Sequence, residues 1–292
     1  MSSKKRKAAL TLALCILALA ASIGLAVFLT VQNEEPAEQP AASDSVAEQQ
    51  PAEPTAEPVP EATPEQFVDF VRRNGSVALK PQLSSWGIGF KKMTAEELEQ
   101  VEDFDAFYQN LIDKKYLAEQ FIQSDPALAR FHPESLNTLR VITFRNGERF
   151  QVFGCGLRVG NKGLHVDNAH GGGIFCEIDP ETGIIITDGL DEHGNYYERH
   201  PMTGVKFKGE QIPYWDEVID LCRRASTTLP CLKVVGWDVS ILPGGKLELI
   251  EGNHNPGMNI VQAPAKHGVH DKFANLLIDF YGYPEPNETA AI

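Results

Sequence analysis

The stretch from Val234 to Pro256, VVGWDVSILPGGKLELIEGNHNP, constrains the fold more than any other. VVGWDVSIL is apolar and β-branched, Pro243-Gly244-Gly245 is a turn signal, and KLELIEGN alternates polar with apolar residues. The pattern predicts two strands joined by a tight turn. On the first strand Trp237, Val239 and Ile241 share one face, and Asp238 and Ser240 share the other. On the second strand Glu251 and Asn253 lie two apart and share a face. If the strands pair in register, Asp238, Glu251 and Asn253 converge at one end. Three hard oxygen donors on stiff strands form a cradle for Mg²⁺, with phosphate oxygens completing its shell. The same pattern also describes an ordinary hairpin whose polar face meets water.

The rest of the chain divides by composition. Lys4-Lys5-Arg6-Lys7 precedes an uncharged apolar run from Ala8 to Val31. That run is long enough to cross a bilayer as a helix of about 20 residues, and longer than the apolar core of a cleaved signal peptide. Residues 1–32 therefore read as an N-terminal anchor, and its basic cluster places the remainder on the outer side. Residues 33–62 are rich in Pro, Ala, Glu and Gln and have almost no large apolar side chains. They read as a disordered tether, because such a segment buries too little surface to offset its ordering entropy. What remains, 63–283 with a short tail at 284–292, is roughly 220 residues, enough for one large domain or two lobes. The formal net charge of −14 argues against a nucleic-acid partner. The cysteines show no C-x-x-C spacing, so neither a zinc site nor a disulfide framework is indicated, and buried free thiols are expected.

Thr63-Pro64-Glu65-Gln66 is a capping box with proline at the first helical position, and Phe67, Phe70 and Val71 give that helix its apolar face. A short strand, Ser76 to Leu79, ends at Lys80-Pro81. Ser84, Ser85, Gly87 and Gly89 then make a small loop whose amides can approach phosphates. Thr94 to Lys114 reads as one capped helix, Tyr116 to Ile122 as a strand, and Phe150 to Arg158 as another. Asp167-Asn168 precedes a triple glycine at 171–173. Cys176 to Asp188 reads as a hairpin turning at Asp179 to Gly183. Helices are expected at Asp216 to Ala225 and Lys272 to Tyr281. His170, His193 and His200 have no metal-ligand spacing. The strands, hairpins and flanking helices imply an α+β architecture.

GWDV followed by LIEGNHNPG, Lys80-Pro81 with its glycine loop, and HPESLNTLRV together resemble the ATP-grasp enzymes. They are most similar to the sugar-transfer-associated, or α-L-glutamate-ligase-related, branch, and the likeness runs from about Thr63 to Tyr283. The resemblance implies two α+β lobes, about 63–121 and 122–283, clamping nucleotide between their sheets, with ATP and Mg²⁺ as cofactors. It implies that Lys80, Ser84, Ser85 and Gly87 hold phosphates. It gives Glu119 to adenine, with Gln120, Phe121 and Ile122 as the backbone edge beside it and Asp125 near the ribose. It puts Asn168 on the phosphate side and points Asn137 and Arg140 at the triphosphate. Arg140 would stabilise a γ-phosphate or acyl phosphate, and Asp238, Glu251 and Asn253 would hold Mg²⁺.

The implied reaction joins a carboxylate, on a small molecule or on an envelope glycan or peptide, to an amine or other nucleophile. Two departures stand out. The domain that the family usually carries upstream is replaced here by anchor and tether, and an outward topology conflicts with the cytoplasmic supply of ATP. A membrane-tethered relative without turnover, binding an envelope glycan or peptide, is the competing expectation.

Overall fold

The computed structural model describes residues 56–58, 62–83, 88–163, 165, 167 and 171–282. The anchor at 1–32, most of the tether, the tail, and the predicted site residues Ser84, Ser85, Gly87 and Asn168 lie outside them. No helix among the described residues is long and apolar enough to cross a membrane. The architecture is α+β, and the chain divides into two compact units between Phe121 and Ile122.

The first unit holds a four-stranded antiparallel sheet in the order β1-β4-β2-β3. Its strands are β1 (Ala56–Pro58), β2 (Ser76–Pro81), β3 (Lys91–Thr94) and β4 (Tyr116–Gln120). Helix α1 (Pro64–Asn74) starts at the complete Thr63–Gln66 capping box and buries Phe67, Phe70 and Val71. The single helix expected over 94–114 is instead two, α2 (Ala95–Glu99) and α3 (Phe104–Asp113). Asp103 is the reason: its carboxylate accepts from Ala106 N at 2.9 Å and begins a new helix. Leu98, Tyr108 and Leu111 from these helices close on Val77, Leu79, Tyr116 and Ala118 of the sheet. Strand β1 lies inside the stretch read as tether. It pairs with β4 from Ala56↔Glu119 to Pro58↔Leu117, so backbone hydrogen bonding orders three residues that composition left to solvent.

The second unit is built on a seven-stranded antiparallel sheet in the order β11-β10-β5-β6-β7-β8-β9. The strands are β5 (Thr138–Asn146), β6 (Arg149–Val159), β7 (Ile174–Ile178), β8 (Gly189–Leu190), β9 (Tyr196–Tyr197), β10 (Val234–Leu242) and β11 (Lys246–Asn253). After the four-residue helix α4 (Pro126–Ala129), the long helix α5 (Trp215–Thr228) lies against β5, β10 and β11 and buries Val218, Leu221, Cys222 and Ala225. The opposite face carries α6 (Asn259–Gln262) and α7 (His270–Tyr281), whose Ile260, Val261 and Phe280 join Ile142, Phe144 and Phe153 in a second core. Gly154 and Gly156 make the seat for α6. A Cβ on Gly156 would stand 2.5 Å from Ile260 Cγ1, and one on Gly154 2.8 Å from Val261 Cγ1. Cys155, Cys176 and Cys222 are buried free thiols as expected, whereas Cys231 is exposed.

Candidate functional site

Strand β10 lies between β5 and β11, and its Asp238 faces Arg140 on one neighbour and Glu251 on the other. The hairpin is not regular. Val239 pairs with Leu249 and Asp238 with Glu251, so Ile250 is a surplus residue in a β-bulge. The bulge re-phases the end of β11. Leu247 and Leu249 stay on the face of Val239 and Ile241, while Glu251 and Asn253 cross to the face of Asp238 and Gly236. Asn253 sits opposite Gly236, which has room for nothing larger: a Cβ there would meet Pro256 Cβ at 2.6 Å and Arg140 Cδ at 3.1 Å. Asn253 Nδ2 donates to Glu251 Oε1 at 3.0 Å. Asp238, Glu251 and Asn253 thus share one end of one sheet face.

Arg140 does not reach outward. Its guanidinium forks onto Asp238, Nε donating to Oδ1 and Nη2 to Oδ2, the latter at 2.8 Å. A second arginine, Arg158 of β6, donates from Nη1 to Asp238 Oδ2 and from Nη2 to Asp167 Oδ1, each at 3.0 Å. Asp167 in turn accepts from the Thr138 amide at 3.0 Å and from its hydroxyl. Burial alone would raise the Asp238 carboxyl, but the Arg140 and Arg158 charges outweigh it and hold the group below its ordinary range. Glu251 shifts the other way: burial first, then the neighbouring Asp238 charge, pushes its carboxyl up. Asp167 is also raised, chiefly by burial, against the pull of Arg158.

The donor set is hard, as Mg²⁺ requires. Glu251 fits best, since a cation would relieve its unfavourable ionisation. Asp238 has both oxygens on guanidiniums and would join a shell only by sharing one of them. Among the described residues no three His, Cys, Asp or Glu side chains gather as a metal site, so the amide of Asn253 would have to supply the third donor.

In the first unit Lys80 and Glu119 form an ion pair across β2 and β4, their side chains 34% and 15% exposed. The second carboxylate oxygen, Glu119 Oε1, is buried with no hydrogen-bond partner. Beside it Gln120 pairs with Val77, the Phe121 amide donates to Ser76 O at 3.2 Å, and Ile122 is half-buried.

One expectation from the resemblance is corrected. Asn137 is fully buried; its Nδ2 donates to Leu128 O and His132 O, and its Oδ1 accepts from Ser135 Oγ, so none of its polar atoms faces a ligand. Asp125 is half-buried and caps α4 through Oδ1, which accepts from Ala127 N at 2.9 Å. Arg158 and Asp167 escaped the sequence reading as site residues. Arg158 sits on a strand of ordinary alternation, and only the sheet register brings it to Asp238.

The profile of the sugar-transfer associated ATP-grasp family matches residues 94–276. No curated protein sequence matches the chain. Among solved structures, the ATP-grasp ligase PsnB complexed with minimal precursor is similar at 15% identity and a TM-score of 0.45, over 77% of this chain and 54% of that one. D-alanyl-alanine synthetase A from Vibrio cholerae is similar at 12% identity and a TM-score of 0.43, over 94% of this chain and 65% of that one. The chain therefore spans little more than half of PsnB. With the family profile covering most of the chain, from the second half of the first unit to the last helix, this protein belongs to the sugar-transfer associated ATP-grasp family.

Proposed function

We propose that the protein is an ATP-dependent ligase that joins a carboxylate to an amine or other nucleophile through an acyl phosphate. The observation that carries this reading is the bulge that turns Glu251 and Asn253 onto the face of Asp238. A surplus residue that moves a carboxylate and an amide out of the apolar phase and beside a second carboxylate has no packing rationale. Asp238, Glu251 and Asn253 would hold Mg²⁺, which when bound neutralises nucleotide phosphate charge. Arg140 and Arg158 keep Asp238 ionised and fix its plane. Lys80 is the cation offered to phosphates, and the orphaned Glu119 Oε1 is an acceptor for the exocyclic amine of adenine. The family resemblance gives Ser84, Ser85, Gly87 and Asn168 to the nucleotide phosphates. Residues 1–32 would anchor the enzyme and 33–55 tether it, for work on an envelope glycan or peptide.

Calorimetry of the full chain with ADP, with and without Mg²⁺, tests the site. Asp238→Asn and Glu251→Gln should each weaken Mg²⁺-dependent ADP affinity by about a hundredfold, the loss of roughly 2.7 kcal/mol. Unchanged affinity in both variants refutes the assignment. The engagement of both Asp238 oxygens by arginine favours a second reading, a tethered relative that binds without turnover. That reading expects ADP binding that ignores Mg²⁺.

A further inference from the structure

Strand register extends the site's face across the sheet. Glu251 faces Asp238, Asp238 faces Arg140, Arg140 faces Gly156, and Gly156 faces Glu177 of β7. Directly paired residues project on one side, so Glu177 shares the face of Asp238, three strand spacings or about 14 Å away. Ile260 of α6 stands over Gly156 between them. Beyond Ile260 the face opens into a groove of about 470 Å³ lined by Glu177, Asp188, Tyr196, Lys208, Lys266 and His267, with a few smaller residues. That volume lies in the range of small-molecule sites.

The groove brings together ionisable groups of both signs that do not neutralise one another. Among the described residues, no hydrogen bond or ion pair engages the side chains of Glu177, Asp188 or Lys208. Glu177 is half-buried, and burial raises its carboxyl against the pull of His267 and Lys272. Lys272 is committed elsewhere, donating to Phe153 O at 2.6 Å. In the same lining Lys266 holds a left-handed backbone, φ 59°, which costs a non-glycine residue about 1 kcal/mol or more. That conformation sets its Nζ 4.0 Å from the Tyr196 ring centroid. The ring is itself fixed, because Tyr196 donates to Ala263 O at 2.9 Å. Carboxylates and ammonium groups that line one groove without forming ion pairs with one another match a ligand that carries both charges.

We propose that this groove binds a zwitterion, the α-amino-acid end of a larger substrate, with Glu177 and Asp188 taking the ammonium and Lys208 and Lys266 the carboxylate. The ligand's role as the remote end of the ligase substrate rests on the function proposed above; its binding does not. The substrate would run from the groove past Ile260 toward Asp238, so the groove sets specificity and contributes no reacting group.

The test uses the full chain without nucleotide, observed by saturation-transfer NMR and calorimetry. The probes are glycine, L-alanine, L-glutamate, L-lysine and the dipeptide Ala–Ala, each beside its N-acetyl and C-amide forms. A free zwitterion should bind at millimolar concentration, and blocking either end should weaken it by about tenfold or more. Tighter binding of the dipeptide than of alanine identifies a peptide-borne end, and the reverse a single residue. Glu177→Gln should erase the preference for a free amine, and Lys208→Met, at an exposed position, the preference for a free carboxylate. Glu177→Gln should leave Mg-ADP affinity unchanged, and Asp238→Asn should leave zwitterion binding unchanged, so either proposal can fail alone. If no zwitterion binds, or if free and blocked forms bind alike, the proposal is overturned.

Discussion

Replacing Arg158 by methionine tests the charge arrangement behind Asp238. The guanidinium is 13% exposed and bonds Asp238 and Asp167, whose side chains are 4% and 9% exposed. Methionine keeps much of the volume and removes the charge. Asp238 then retains Arg140, but among the described residues Asp167 retains only the amide and hydroxyl of Thr138. Breaking a buried pair by deleting one partner costs about 3–5 kcal/mol, because a charge is left uncompensated. The cost should depend on pH. Burial already holds the Asp167 carboxyl above its ordinary value with Arg158 in place, and losing Arg158 raises it further. A carboxylate whose pKa is raised by folding binds more protons in the folded state. Its penalty is therefore relieved as pH falls and grows as pH rises, by at most about 1.4 kcal/mol per pH unit. The deficit of Arg158→Met relative to the parent should thus be larger at pH 7 than at the ordinary carboxylate value of about 4. His132 and His200, both lowered chiefly by burial, titrate in parent and variant alike and cancel in the difference. Urea denaturation followed by tryptophan fluorescence is suitable, since Trp237 is fully buried in the same unit. A loss under about 1 kcal/mol, or one equal at both pH values, refutes the reasoning.

Gly156→Val should destabilise the chain by about 1–3 kcal/mol through overpacking, and hydrogen exchange should show α6 loosened from the sheet rather than general unfolding. Asp191 accepts from His193 N, Asn195 N, Asn195 Nδ2 and the Tyr197 hydroxyl, all at 2.9 Å. Burial opposes ionisation there, but these bonds hold the carboxyl at about 2. Asp191→Ala should cost about 2–3 kcal/mol at neutral pH. Because the folded pKa is depressed, that stabilisation is present above the ordinary carboxylate range of about 4 and vanishes as pH falls toward 2. Acid titration of parent and variant should therefore converge, and a constant gap would count against the assignment.

What could be read ahead was local. The Thr63 and Thr94 capping boxes are both complete, since a cap depends only on residues three apart. The hairpin and its turn follow from alternation and a Pro-Gly-Gly signal. What escaped reading depends on partners distant in sequence. Asn137 carries no mark that its amide will find the carbonyls of Leu128 and His132 inside the fold. Arg140 offers the same donors to a phosphate as to Asp238, and only the β5–β10 register decides for the carboxylate. Arg158 and Asp167 gain meaning only when β6 is placed two strands from Asp238. Simple alternation from the turn would set Asp238 against Ile250, so the convergence of the three donors depended on an irregularity that no composition reveals.

That irregularity makes the site sensitive to strand pairing as well as to chemistry. Substituting Ile250 by another apolar residue would leave Glu251 and Asn253 where they are. Removing that residue would leave an unbroken ladder in which Glu251 still faces Asp238 and Asn253 still faces Gly236, whereas the full strand paired without a bulge would rotate both side chains into the layer occupied by Trp237. The donors are therefore placed by how the backbone at position 250 is accommodated against β10, and not by the side chain that position carries.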